Sequence, residues 1–388
     1  MIEPHSARNG SGPLRVGVVG LGYWGPNLVR NLHEVEGSEV SHVCDLRVDA
    51  LEGIGRRYPA VSLTTRFGDV LDDSTVDAVV IATPVSTHYK LADAALEAGK
   101  HVLVEKPLAA SSQEARALIE RARERGLILM PGHTFLYSPP VIMIRELIEA
   151  GELGEIFFVS MSRVNLGLHQ PDVSVIWDLG PHDFSILRYW LGEMPTHVSA
   201  LSRDCIRPGT PDVAFINLEF GSGTVAHVEL SWLAPSKLRR TTIVGSRKMV
   251  VYDDMSAEPV RVFDSGVTFD DPQNFGEYRL SYRTGDIVSP RIQSSEPLFL
   301  ELSDFCSAIS NASRPRSYDE LGLDVVRVIE AAERSLVASG SKVPVEEAPS
   351  ESLRASGGSA HPRRSLSHVM QKRASQTLAR ARRPDGQR

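Results

Sequence analysis

The stretch IWDLGPHDFSIL, residues 176–187, sets an acid and an imidazole four residues apart, Asp178 and His182, among apolar neighbours. Burying such groups costs several kcal/mol unless they are paired or hydrogen-bonded. Types and spacing allow three uses: proton transfer, metal ligation, or a helix-start acid beside a satisfied core histidine. Metal is disfavoured, because His88, His101 and His133 are dispersed and no third His or Cys stands at ligand spacing. A serine hydrolase would need a G-x-S-x-G elbow, and none appears. Proton transfer suits an imidazole best, since its ordinary pKa lies near neutrality and a positioned general base contributes roughly 10²- to 10⁴-fold in rate.

The elements that must position these groups fall into two patterns. LRVGVVG (14–20), VSHVCD, VDAVVIATP, HVLVEKP and LILMPG read as buried parallel strands. Helices alternate with them: one entered at Pro26 with Leu28, Val29, Leu32 and Val35 at helical spacing, HYKLADAALEAGK, and SQEARALIERARERG. That alternation predicts a doubly wound α/β sheet over 14–132. From 133 to 346 the strands IFFVSMSRVNL, HVSALSR, AFINLEF, TVAHVELSWL, RTTIVGS and KMVVYDD have no helix between each, which predicts an α+β domain with a large, mostly antiparallel open sheet. A helix is expected to begin near Pro181, with Asp178 just ahead of it. Two more close the body: one in PLFLELSDFCSAISN and one opened by a Ser317–Glu320 capping box.

VVGLGYWG carries G-x-G-x-x-G at Gly20, Gly22 and Gly25, after a strand and before a helix. In that context the first glycine permits a tight turn, the second admits a pyrophosphate, and the third packs helix on strand. Asp45, twenty positions beyond Gly25, stands where a carboxylate accepts from a ribose 2′-hydroxyl and repels a 2′-phosphate. The expected cofactor is NAD, with NADP kept open by the nearby Arg47.

Composition bounds the class. The 388 residues are 42% hydrophobic and 23% charged, values of a water-soluble globular chain of two domains. The net charge of −7 hides an asymmetry: 351–388 holds nine Lys/Arg against two acids, leaving 33 against 47 elsewhere. An acidic body gives no support to nucleic-acid binding. Residues 1–13 and the basic tail 347–388 are expected to be disordered extensions. No apolar run suits a signal peptide or membrane span, and three scattered cysteines form no disulfide framework, so a cytoplasmic location is expected.

ATPVSTHYKLADAALEAGKHVLVEKPLA resembles the Gfo/Idh/MocA family of sugar and cyclitol oxidoreductases. Its members share a Rossmann domain, an E-K-P motif and a later D-x-x-x-H on the sheet domain. All three occur in order here, as Gly20 to Gly25, Glu105-Lys106-Pro107, and Asp178 with His182, and the resemblance covers residues 14–344. GLGYWGPNLVRN, GHTFLYSPPV, SRVNLG and WDLGPHD are most similar to the branch that oxidises C3 of UDP-N-acetylglucosaminuronic acid. The resemblance implies an NAD-dependent dehydrogenase of a sugar or nucleotide-sugar secondary alcohol, assembled as a homodimer or homotetramer. Lys106, His182 and Asp178 would be catalytic. Tyr23, Trp24, Thr83, Pro84, His88 and Glu105, with Lys106, would join the glycines and Asp45 around the cofactor. Tyr137, Arg163 and Asn165 would join Lys106, Asp178 and His182 around the substrate, with Arg163 able to clamp a carboxylate or phosphate. An inositol or free-sugar dehydrogenase of the same family, and a non-catalytic dinucleotide-binding regulator, are the alternatives.

Overall fold

The computed structural model describes residues 12–167, 173–270 and 279–346; residues 1–11 and the basic tail 347–388 lie outside the described residues. The first sheet is built from β1 (Leu14–Val19), β2 (Ser38–Cys44), β3 (Ser62–Thr64), β4 (Ala78–Ile81), β5 (His101–Glu105) and β6 (Leu129–Gly132). All are parallel, in the order β3-β2-β1-β4-β5-β6. Helices α1 (Gly25–Glu34), α2 (Val48–Arg57), α3 (Phe67–Asp72), α4 (Val85–Glu97) and α5 (Ser112–Glu124) supply the crossovers. The four residues of β4, Ala-Val-Val-Ile, are all buried, because a central parallel strand is covered on both faces. The strand order reverses between β1 and β4, and ligands bind beyond the strand C-termini at such a switch point. Gly20, Asp45 and Lys106 directly follow β1, β2 and β5, and Thr83 lies two residues past β4.

Beyond β6 come a 3₁₀ turn (Thr134–Tyr137), α6 (Pro139–Glu149), β7 (Ile156–Leu166), α7 (Val175–Leu191) and β8 (Pro195–Arg203). They are followed by β9 (Val213–Phe220), β10 (Val225–Ser231), β11 (Leu233–Gly245), β12 (Met249–Asp253), β13 (Val260–Asp270) and β14 (Arg279–Val288). Helices α8 (Pro297–Asn311) and α9 (Asp319–Val337) and the short β15 (Val343–Pro344) complete the described residues. The second sheet runs β14-β13-β12-β11-β7-β10-β9-β8-β15, antiparallel except for β7 beside β10. A strand turns alternate side chains to opposite faces, so Val159, Met161 and Arg163 of β7 all point into the core. Arg163 therefore enters an apolar layer, where Asp183 of α7 receives it through two hydrogen bonds of 2.8 Å. Charges this buried are tolerated only when closely paired.

The structure corrects two local expectations. Helix α7 does not start at Pro181; it starts at Val175 and runs through Pro181 to a left-handed cap at Gly192, φ 73°. The proline removes only the donor that would have met the Trp177 carbonyl, while the apolar face of α7 keeps the helix packed. Asp178 and His182 are thereby one turn apart on a single helix. The capping box at α9 does not form. The Ser317 hydroxyl instead donates to the Pro131 carbonyl at 2.6 Å, and Tyr318 precedes the helix with no side-chain cap. Among the described residues, no helix is long and apolar enough to cross a membrane.

Candidate active site

The site assembles where the end of β5 meets α7. The Lys106 ammonium donates to the Asp178 carbonyl oxygen at 2.8 Å and to its carboxylate Oδ1 at 3.2 Å. The other carboxylate oxygen accepts from the Trp232 indole N–H at 3.1 Å. Asp178 is thus held from both sides, by a cation of the first sheet and an indole of the second. Five positions along α7, Asp183 is held by Arg163, which fixes the helix against β7.

His182 lies between these two anchors. Its ring meets the edge of Phe135 at 4.9 Å between centroids, and the guanidinium groups of Arg163 and Arg239 stand 4.5 and 5.2 Å from the same phenyl centroid. Burial, and then the charges of Lys106, Arg163 and Arg239, hold the His182 pKa well below the ordinary histidine value. The imidazole is therefore neutral at neutral pH, with a lone pair free to take a proton. Burial and Lys106 likewise push His133 down to about 3. Glu105 moves the other way: burial raises its carboxyl to about 7 although Lys106 opposes the shift. Glu301 of α8 is also raised well above the usual carboxyl value, through burial first and the charge of Glu105 second, and it accepts a 2.7 Å bond from the Thr134 hydroxyl.

The glycine loop fits a dinucleotide. Gly20 has φ 95°, and a Cβ there would stand 2.4 Å from the Ala82 carbonyl oxygen. A Cβ on Gly25 would stand 2.2 Å from the Gly20 oxygen, whereas one on Gly22 meets no protein atom within 4 Å. Gly20 and Gly25 thus serve the packing, and Gly22 faces open space where a pyrophosphate would approach the backbone ahead of α1. Asp45 accepts from the Leu21 N–H at 2.5 Å and from the Arg47 N–H and Nε at 2.8 and 3.1 Å. Burial alone would raise its carboxyl; the bonds from Arg47 and Leu21 outweigh that and hold it below the usual range. Tyr23 and Trp24 are exposed beside this loop.

Other expected residues are placed less directly. Arg163 is 5% exposed and engaged with Asp183, so it forms part of the wall behind His182 and is no open anion clamp. The Tyr137 hydroxyl, also buried, donates to Asp304 at 2.7 Å and accepts from the Ser317 N–H at 3.0 Å, which ties the 3₁₀ turn to α8 and α9. Asn165 lies beside Trp232, since a Cβ on Gly167 would touch both at 2.9 Å. Thr83 pairs its hydroxyl with that of Thr87 at 2.7 Å, and Pro84 caps α4. His88 is buried behind both. Phe135, Trp232, Arg239 and Glu301 were not legible as site residues, because an aromatic or a charge inside a strand or helix pattern carries no mark of what it will face.

Residues 14–133 match the model described as an oxidoreductase family with an NAD-binding Rossmann fold, and residues 141–251 match the GFO/IDH/MocA C-terminal domain. The chain belongs to the Gfo/Idh/MocA family and is an NAD-dependent dehydrogenase. Among its relatives, the scyllo-inositol 2-dehydrogenase (NAD(+)) of Bacillus subtilis is 28% identical over 78% of this chain and 88% of its own. The UDP-N-acetylglucosamine 3-dehydrogenase of Acidithiobacillus ferrooxidans is 30% identical over 59% and 71%. A crystal structure of a putative oxidoreductase from Magnetospirillum magnetotacticum superposes with a TM-score of 0.71 at 28% identity, covering 82% of this chain and 99% of that one.

The glycine geometry separates folding from cofactor binding. Gly22→Ala should leave the thermal midpoint unchanged yet weaken NADH binding at least about tenfold, or 1.4 kcal/mol, by fluorescence titration. Gly25→Ala should lose both. Unchanged NADH affinity in Gly22→Ala would place the pyrophosphate elsewhere.

Proposed function

We propose that the protein oxidises a ring secondary alcohol of a sugar, with C3 of UDP-N-acetylglucosaminuronic acid as the sharpest candidate. The observation that carries the chemistry is the Lys106–Asp178 contact, one helical turn from the neutral imidazole of His182. The glycine loop at Gly20–Gly25 and Asp45 would hold NAD, which would supply the hydride acceptor when bound. Lys106 donates toward the substrate oxygen and stabilises the negative charge that develops there. His182 takes the hydroxyl proton, and because burial and the surrounding cations disfavour its keeping that proton, it releases the proton to solvent water. Asp178 holds the ammonium and is itself fixed by Trp232. The choice of a nucleotide-linked sugar is supported by the sequence phrases shared with that branch and by the relative that acts on UDP-N-acetylglucosamine. A cyclitol such as inositol is the second reading, favoured by the inositol dehydrogenase that aligns over more of the chain.

We also propose a homo-oligomer built on the outer face of the second sheet. Two cross-strand apolar pairs, Leu201 with Phe215 and Phe158 with Val225, lie exposed there. The two pairs stand on one face on either side of the polar row Ser160–His227–Asn217, and this mix of apolar and polar side chains supports a sheet-to-sheet contact there. Sedimentation equilibrium should give a mass above that of one chain; a monomer at micromolar concentration would contradict it.

The activity test is reduction of NAD with UDP-N-acetylglucosaminuronic acid, inositol and glucose, with product followed by mass. Oxidation of the nucleotide uronate alone is expected. His182→Ala should lower kcat by about 10²- to 10⁴-fold. The general base must be unprotonated, so its depressed pKa should carry the acid limb of kcat/KM below the ordinary histidine value of about 6.5. Activity on inositol alone would discard the nucleotide-sugar reading, and full turnover by His182→Ala would discard the base.

A further inference from the structure

His88 links the two half-sites without belonging to either. It lies in the first turn of α4 and is 1% exposed, so its ring is out of reach of a ligand in the cleft. Nε2 is 2.8 Å from the carbonyl oxygen of Thr83, and Nδ1 is 2.9 Å from that of Pro107. Thr83 follows β4, and its methyl group stands where a Cβ on Gly20 would come within 2.9 Å, so this carbonyl belongs to the turn that abuts the glycine loop. Pro107 follows Lys106 directly, so the second carbonyl belongs to the turn that presents the ammonium to Asp178.

A neutral imidazole has one N–H and one lone pair, whereas both of its neighbours here are acceptors. Burial and Lys106 favour that neutral form, while the two carbonyls pull in the opposite direction. Whichever nitrogen carries the proton, one carbonyl accepts its N–H while the other rests against the second ring nitrogen, so the ring is wedged between both turns. We infer that His88 is a positioning residue that ties the cofactor turn at Thr83 to the catalytic turn at Lys106–Pro107. The chain of contacts runs from Gly20 through Thr83, His88 and Pro107 to Lys106, and a small displacement anywhere along it moves the ammonium relative to the reacting carbon. The inference rests on the reading of Lys106 as a catalytic residue.

Two variants test it. His88→Phe keeps a ring of similar volume with no N–H, and His88→Asn keeps one donor on a shorter side chain. With the sugar that the panel identifies, kcat should fall about 10- to 100-fold in His88→Phe, the scale of a 1 Å misplacement, and less in His88→Asn, while the NADH Kd moves less than about threefold. A substrate-free arm uses acetic anhydride labelling read by mass spectrometry. Lys106 should label severalfold faster in both variants, while Lys100, buried and bonded to the Asp73 and Val76 carbonyls, should not. Wild-type kcat and labelling in both variants would overturn the inference, as would Lys106 and Lys100 accelerating together, since that reports general loosening. Lys106→Met separates the two layers. If it is inactive beside fully active His88 variants, only the inference falls; if it turns over normally, the catalytic reading falls and takes the inference with it.

Discussion

The contact between the Lys106 ammonium and Asp178 is the constraint on which the site depends. It joins a strand end of one sheet to a helix packed on the other, so neither side could be placed without its counterpart. Lys106 reaches it because β5 ends at the switch side of a parallel sheet. Asp178 reaches it because α7 is locked in rotation by the Arg163–Asp183 pair, itself a consequence of strand alternation in β7. Removing either partner of such a pair leaves a buried charge uncompensated, which makes the anchoring stringent.

Charge placement follows from the same geometry. Each cation near His182 has its own carboxylate: Asp178 for Lys106, Asp183 for Arg163, Asp254 for Arg239. Burial first, and then these cations, keep the imidazole neutral. A neutral base beside a fixed cation is the arrangement that alcohol oxidation needs, with one group to accept a proton and another to stabilise the oxygen. The acids Glu105 and Glu301 behind Lys106 have both pKa values raised, which limits the negative charge that could otherwise draw the ammonium away from the cleft.

Much of the architecture was legible because period and spacing are local. The glycine motif, five of the six strands of the parallel sheet and six strands of the second sheet follow from β-branched runs and alternation, whereas the three-residue β3 is too short to carry such a signal. The E-K-P and D-x-x-x-H motifs marked Lys106, Asp178 and His182, and the structure brings these three together. What was not legible depended on tertiary context. Pro181 signals a helix start, yet packing of α7 overrides it. Ser317 and Glu320 have capping-box spacing, yet the Pro131 carbonyl takes the hydroxyl. Arg163 reads as an anion clamp only until Asp183 is found twenty residues away on another element. The partners Trp232, Phe135 and Arg239 come from segments that meet His182 and Asp178 only after folding.

The most direct test of this account is an NMR titration of the His182 ring in carbon-labelled protein, assigned by its loss in His182→Asn. The imidazole should titrate well below the ordinary histidine value. In Lys106→Met its titration should move up toward the ordinary value, because one of the cations that oppose protonation is gone. A His182 that titrates near 6.5 in the native protein and does not respond to Lys106→Met would contradict the arrangement of base and cation on which the proposed chemistry rests.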